Sequence, residues 1–167
     1  MVRVAHPENP KADEVDAEYV RQGNTNATFQ MPGSRQPLPL TKPPYARLVA
    51  LDMNQGEILW RIPFGDSPEL RTHPALKDAV LPAQLGVVGN AGAIVTKGGL
   101  IFAGGGDLVF HAFDKSDGRE LWRAPLARRS SGTPMMYRAR NGRAYVVLAT
   151  GASQEATLAA FALPAVE

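Results

Sequence analysis

The sequence predicts an all-β chain built from antiparallel four-stranded units packed side by side. Three observations predict it. Glycine (16) and proline (14) punctuate the 167 residues so often that many short strands fit better than long helices. Short apolar runs are separated by Gly- and Asp-containing turns. Finally, the stretch from Ala50 to Trp60 returns as the stretch from Ala112 to Trp122. Both copies read A-x-D-x-x-x-G-x-x-x-W and together hold both tryptophans. A repeat of this kind marks a recurring supersecondary unit.

Residues 1–26 are polar. Asp13, Glu14, Asp16 and Glu18 read as a solvated acidic turn or short helix around 13–21. Asn26-Ala27-Thr28 fits a glycosylation triplet, a pattern common by chance. Pro32, Pro37, Pro39, Pro43 and Pro44 make 31–44 an extended connector, because proline cannot donate to a ladder and restricts its predecessor. Tyr45–Leu51 and Glu57–Ile62 read as strands joined by a turn over Asp52 to Gly56. Asp bonds back to nearby N–H groups there, and Gly tolerates positive φ. Residues 63–86 read as a long irregular loop carrying His73, a rim or functional segment; a loop histidine is taken as solvated.

Four short strands follow, Ala93–Thr96, Leu100–Ala103, Leu108–Asp114 and Glu120–Ala124, joined by tight turns into one antiparallel unit. The glycines of Gly104-Gly105-Gly106-Asp107 are not a phosphate loop, because they join two strands and no helix follows. Thr133–Arg140, the turn Asn141-Gly142 and Arg143–Ala149 form another hairpin, and a last strand spans Ala156–Leu163. A Trp at the end of each repeated hairpin offers a large flat surface and an N–H that needs a partner. This suits stacking of blades side by side, as in a β-propeller, and it makes Asp52 and Asp114 turn residues rather than catalysts.

Composition excludes several classes. A net charge of +2 is too small and too evenly spread for a nucleic-acid or membrane-surface binder. The chain has no cysteine, hence no disulfide or thiolate chemistry within it. No apolar run approaches the roughly 18 residues of a membrane helix. The start, Met1 to Pro7, lacks a signal-peptide core, so the protein is cytoplasmic or the chain begins partway along a longer parent. No Ser/His/Asp triad, zinc spacing or paired-carboxylate site is visible.

The repeated motif resembles the tryptophan-docking motif of the quinoprotein dehydrogenases that use pyrroloquinoline quinone (PQQ). Flanking segments are similar too. Pro43 to Asp52 looks like P-P-[YW]-x-x-[LI]-x-A-[IL]-D, and Ala93 to Gly104 like P-I-V-T-x-G-G-L-V-F-x-G. His73 to Lys77 looks like an inter-blade loop of a glucose-dehydrogenase-like branch. Gly132–Tyr137 with Gly142–Val147, and Ala160–Pro164, resemble segments at the carboxyl-terminal end of that family. The resemblance is collinear from about residue 38 to residue 164.

That resemblance implies about two blades of a quinoprotein-type β-propeller, with residues 1–37 an irregular or partial-blade segment and 38–167 the carboxyl-terminal blades. It implies a fragment or subunit of a sugar or alcohol dehydrogenase, inactive alone and completed by missing blades or a complementary subunit. Intact members have eight blades, bind PQQ with Ca²⁺ in a central channel and are periplasmic. There an Asp takes the hydroxyl proton while hydride passes to the quinone. The catalytic and Ca²⁺-ligating positions fall in earlier blades, so the resemblance places no catalytic or metal residue here. It places one cofactor contact, the turn Asn90, Ala91, Gly92, where relatives carry N-G-G. Ala91 and Ala93 depart from that pattern, and a strand-entry turn is the competing reading. At Ala127–Ser131 the family's P-A-G-G is replaced by a segment read as an exposed loop with solvated arginines, with an acid-binding patch as the alternative. A non-enzymatic propeller scaffold, like the outer-membrane assembly factors, is the alternative function.

Overall fold

A computed structural model of the chain describes residues 2–5, 17–20, 28–32, 34, 36–87 and 92–163. The chain divides into two compact units, Met1–Thr41 and Lys42–Glu167. In the first, β1 (Val2–Ala5) pairs antiparallel with β2 (Ala17–Val20). β3 (Thr28–Phe29) pairs with β4 (Leu38–Pro39). The strand over 17–20 corrects the expected turn or helix there: Tyr19 and Val20 favour a pleated ladder and find partners in Arg3 and Val2.

The second unit carries three antiparallel sheets. β5 (Arg47–Asp52) and β6 (Glu57–Pro63) form the first hairpin. A crossover follows, holding the one-turn helix α1 (Pro68–Arg71) and a 3₁₀ turn over Pro74–Leu76. Neither helical turn was expected. Both are too short to show a period, and each starts on a proline, whose fixed φ suits a first helical turn. The four-stranded sheet comprises β7 (Gly92–Val95), β8 (Leu100–Gly104), β9 (Val109–Asp114) and β10 (Glu120–Pro125), hydrogen-bonded in sequence order. The third sheet comprises β11 (Met135–Arg138), β12 (Ala144–Thr150) and β13 (Thr157–Ala162). Gly142 takes φ 80° while Asn141 keeps negative φ, so the β11–β12 loop is a turn closed by a left-handed glycine rather than an Asn-Gly turn with two left-handed residues.

Period-two alternation gives the middle sheet two working faces. Ile101, Ala103 and Phe113 join Phe64 and Val87 in one core, flanked by Ala46, Leu48, Trp60 and Ile62 of the first hairpin. Phe110 joins Leu126, Val146 and Leu148 in the other, flanked by Ile94, Phe102, Ala159 and Phe161. Each sheet therefore buries its apolar face against the next.

The repeated motif carries the same internal structure twice. Asp52 Oδ1 accepts from the Asn54 amide at 2.8 Å, and Asp114 Oδ1 from the Ser116 amide at 2.8 Å. Ser116 also donates its hydroxyl to Asp114, and these bonds hold the Asp114 carboxyl below the usual carboxylate range. Gly56 and Gly118 close the turns with φ of 72° and 75°. A β-bulge follows in both hairpins: Ala50 pairs with Trp60 but Leu51 with Ile58, and Ala112 pairs with Trp122 but Phe113 with Glu120. Leu59 and Leu121 are the extra residues. A bulge shifts which face the next side chain takes, so the residue two before each Trp points away from it.

Trp60 then docks on the second copy of the motif. Its Nε1 donates to the Lys115 carbonyl at 3.0 Å. A Cβ on Gly118 would stand 2.8 Å from the indole ring. Trp122 meets Phe161 of β13 edge-on at 5.6 Å, and also Phe110.

Replacing Trp60 tests this docking by urea denaturation. Trp60→Phe should cost about 1 kcal/mol for the lost hydrogen bond, and Trp60→Ala about 3 kcal/mol. Gly118→Ala should cost clearly more than Gly56→Ala, because both have positive φ but a Cβ at Gly56 meets nothing within 4 Å.

Candidate functional site

The sequence-predicted cofactor turn lies at the entry to the middle sheet. Asn90 and Ala91 fall outside the described residues, as do Asp13, Glu14 and Asp16. Gly92 opens β7 and pairs with Gly104. A Cβ on Gly92 would come within 2.6 Å of the Thr133 Cα and 2.7 Å of its Oγ1. Thr133 fills that space, so the missing Cβ at Gly92 serves the close approach of the 133 segment. Among the described residues no group of three or more His, Asp or Glu is arranged to hold a metal ion.

The glycines after β8 also serve close packing. A Cβ on Gly105 would stand 2.7 Å from the Phe64 ring, and one on Gly104 2.8 Å from the Ser130 hydroxyl. Arg128 and Arg129, expected to be solvated, are half-buried and exposed respectively, and both are paired, with Glu155 and Glu69. His73 corrects its expectation more fully. It is 2% exposed, and its Nδ1 accepts from the Ala75 amide at 3.1 Å, capping the 3₁₀ turn.

The crossover is organised by Asp66. Its carboxylate accepts from the Leu85 amide at 2.9 Å and pairs with Arg71 at 3.2 Å. Arg71 reaches on to the carbonyls of Pro82 and Ala83. Desolvation alone would raise the Asp66 carboxyl. The Arg71 guanidinium and the Leu85 and Ser67 amides outweigh it and hold the group below its usual range. Val87 closes the crossover by donating its amide to the Phe64 carbonyl at 2.8 Å.

Beside this lies a cluster that the sequence reading passed over. His111 of β9 is 5% exposed. Its Nδ1 lies 2.7 Å from Glu120 Oε1, and its Nε2 3.2 Å from Asp107 Oδ2. Phe64 and Phe113 pack on the ring at 5.4 and 5.6 Å. Glu120 also pairs with Arg123. Burial would lower the imidazole's proton affinity, but hydrogen bonds and charge from Asp107 and Glu120 outweigh it and raise the pKa. The available signal was a histidine in the otherwise apolar run Val109–Phe113; the β10 bulge that turns Glu120 onto its face left none.

Residues 2–146 match the family described as "PQQ: Glucose/ethanol/alcohol dehydrogenase, beta-propeller domain". The chain belongs to that family. It is 36% identical over 120 residues to the quinate/shikimate dehydrogenase (quinone) of Acinetobacter baylyi, covering 71% of this chain and 15% of that protein. It is 37% identical over 112 residues to the glycerol dehydrogenase large subunit of Gluconobacter thailandicus, covering 66% of this chain and 15% of that one. To quinoprotein glucose dehydrogenase A of Acinetobacter calcoaceticus it is 34% identical over 119 residues, covering 68% and 14%. The chain thus spans about 15% of the length of the relatives it matches first. The family bears out the expected quinoprotein-type β-propeller fold, and the short span agrees with a partial ring.

Two variants test the local readings. Asp66→Asn should lower stability by about 1 kcal/mol at neutral pH. A carboxyl whose folded pKa is depressed stabilises above its unfolded value and loses that contribution as pH falls through the folded one. The gap in urea midpoint between wild type and Asp66→Asn should therefore close on acidification below about pH 4. Gly92→Ala should destabilise the chain by about 2 kcal/mol through its backbone clash, whereas Gly98→Ala, with only the Thr96 hydroxyl at 3.9 Å, should be near neutral.

Proposed function

We propose that this chain supplies carboxyl-terminal blades to a PQQ-dependent dehydrogenase that oxidises a hydroxyl group of a sugar or another alcohol. The observation that carries the reading is the Trp60–Gly118 contact within a chain of this family. It joins one blade to the next by a motif that recurs at Trp122, which packs on Phe161 of the last sheet. Strand counts support an incomplete ring. Among the described residues of this unit the middle sheet has four strands, the hairpin β5–β6 two, and the last sheet three. The last sheet ends on β13, whose outer edge has the place of a fourth strand. Unpaired edges of this kind recruit other strands.

The remaining blades come from a longer polypeptide or a complementary subunit. Bound PQQ, with Ca²⁺ as in intact members of the family, supplies the hydride acceptor. This chain's part is to close the ring and keep water from the blade interfaces. The relatives' names, for quinate, glycerol and glucose, support a small polyhydroxylated substrate, and membership of the family supports a periplasmic site.

The test combines the chain with the polypeptide encoded immediately upstream of it. Alone, the chain should show no dye-linked oxidation of glucose, glycerol or quinate, and PQQ with Ca²⁺ should leave its tryptophan fluorescence unchanged. The combined assembly should bind PQQ, quench that fluorescence and oxidise at least one of the three. An assembly that forms but ignores PQQ would establish a scaffold instead.

A further inference from the structure

The Glu120–His111–Asp107 cluster does work that blade stacking does not require. The ring sits on the face of β9 that also carries Phe113, opposite Ala103 on β8 and Arg123 on β10. Both ring nitrogens meet a carboxylate oxygen. A neutral imidazole has one N–H and one lone pair, so it can satisfy only one of the two. The other carboxylate would then face a lone pair in a buried setting, which is costly. Only the imidazolium donates to both.

The two carboxylates are not equivalent. Glu120 has a second cation in Arg123 and an exposed flank, its side chain being 20% exposed. The Asp107 side chain is 9% exposed. Among the described residues its Oδ1 has no hydrogen-bond partner. Its Oδ2 takes the His111 contact and also accepts the Asp66 amide at 3.3 Å. On the crossover side, Asp66 and Arg71 are occupied with each other and with Leu85, Pro82 and Ala83, and Glu69 pairs with Arg129. His111 is thus the cation that balances Asp107. Gly65 lies directly beneath: a Cβ there would stand 2.5 Å from Asp107 Oδ2.

We propose that Glu120–His111–Asp107 is a charge-dependent latch that clamps the start of the 63–87 crossover onto the four-stranded sheet and loosens it when His111 becomes neutral. Protonated His111 donates to Asp107 and holds it in place, and Asp107 holds the Asp66 amide. Asp66 in turn ties both ends of the crossover together. A histidine whose folded pKa is raised stabilises fully below its unfolded value and loses that contribution as pH rises through the folded one. The latch is therefore closed on the acid side of the histidine range and opens on the alkaline side.

The direct measurement is an NMR titration of the full chain, following the His111 ring nitrogens together with the Asp66 amide. The doubly protonated ring should persist above the ordinary histidine midpoint of about 6.5. The shift and exchange protection of the Asp66 amide should change with the same midpoint, and the urea midpoint should fall across it. Glu120→Gln should move the ring's midpoint down, with the Asp66 amide following it. His111→Gln should abolish the pH response of that amide between about pH 6 and 9. A ring that titrates at or below the ordinary value overturns the proposal. So does an Asp66 amide that ignores the ring, a result the wild-type titration gives even if a variant fails to fold.

Discussion

Everything in the larger unit depends on a tryptophan of one hairpin lying on a glycine of the next. Trp60 reaches across to Gly118 and the Lys115 carbonyl. A two-stranded hairpin cannot hold itself together in water. Here its apolar face is completed by Ile101, Ala103 and Phe113 of the neighbouring sheet. The contact needs a turn residue with positive φ and no Cβ on the receiving side. It also needs a side chain that is large, flat and able to donate at its edge on the other. The A-x-D-x-x-x-G-x-x-x-W motif supplies both, so each copy can dock on its successor and be docked upon.

The bulge in each motif lets one strand serve two neighbours. In β10 it places Trp122 beside Phe110 and Phe161, on the side of the last sheet. Glu120 goes to the opposite side, beside His111. Without the extra residue, positions two apart would share a face, and the carboxylate would lie with the tryptophan in the apolar core shared with β12 and β13. The bulge is thus what lets the face that packs on Phe64 and Val87 hold a carboxylate beside His111, while Trp122 stays in the apolar core on the other face.

The polar side has its own logic. The crossover cannot pair in a ladder, so its backbone groups need other partners. Asp66 and Arg71 provide them for residues 82, 83 and 85. Asp107 extends that network into the sheet, and His111 balances its charge. Glycines at 65 and 105 let the network and the Phe64 ring come close. Gly104 and Gly105 are therefore packing glycines between blades, Gly105 under Phe64 and Gly104 against Ser130.

From residue 45 onward the strands and their turns, and the family, were legible in the amino-acid sequence, because each rests on local chemistry: alternation, Asp and Gly at turns, and a motif repeated at Ala50 and Ala112; the short strands before residue 40 were not. The observed strands Arg47–Asp52, Glu57–Pro63, Leu100–Gly104 and Glu120–Pro125 lie within a residue or two of the expected ones. The short helical turns at Pro68 and Pro74 were not legible, since one turn shows no period. Nor was the burial of His73, which depends on capping a turn that only the folded crossover makes. The use of Gly92 against Thr133 joins residues far apart in the chain and appears only when β7 and the 133 segment meet. The His111 cluster likewise needed the β10 bulge to bring Glu120 across, and a bulge is set by how two strands pair. What the sequence determined by itself was which residues turn, pair and dock; which carboxylates meet one histidine was decided by the tertiary structure, because that depends on strand register and blade stacking rather than on neighbouring residues.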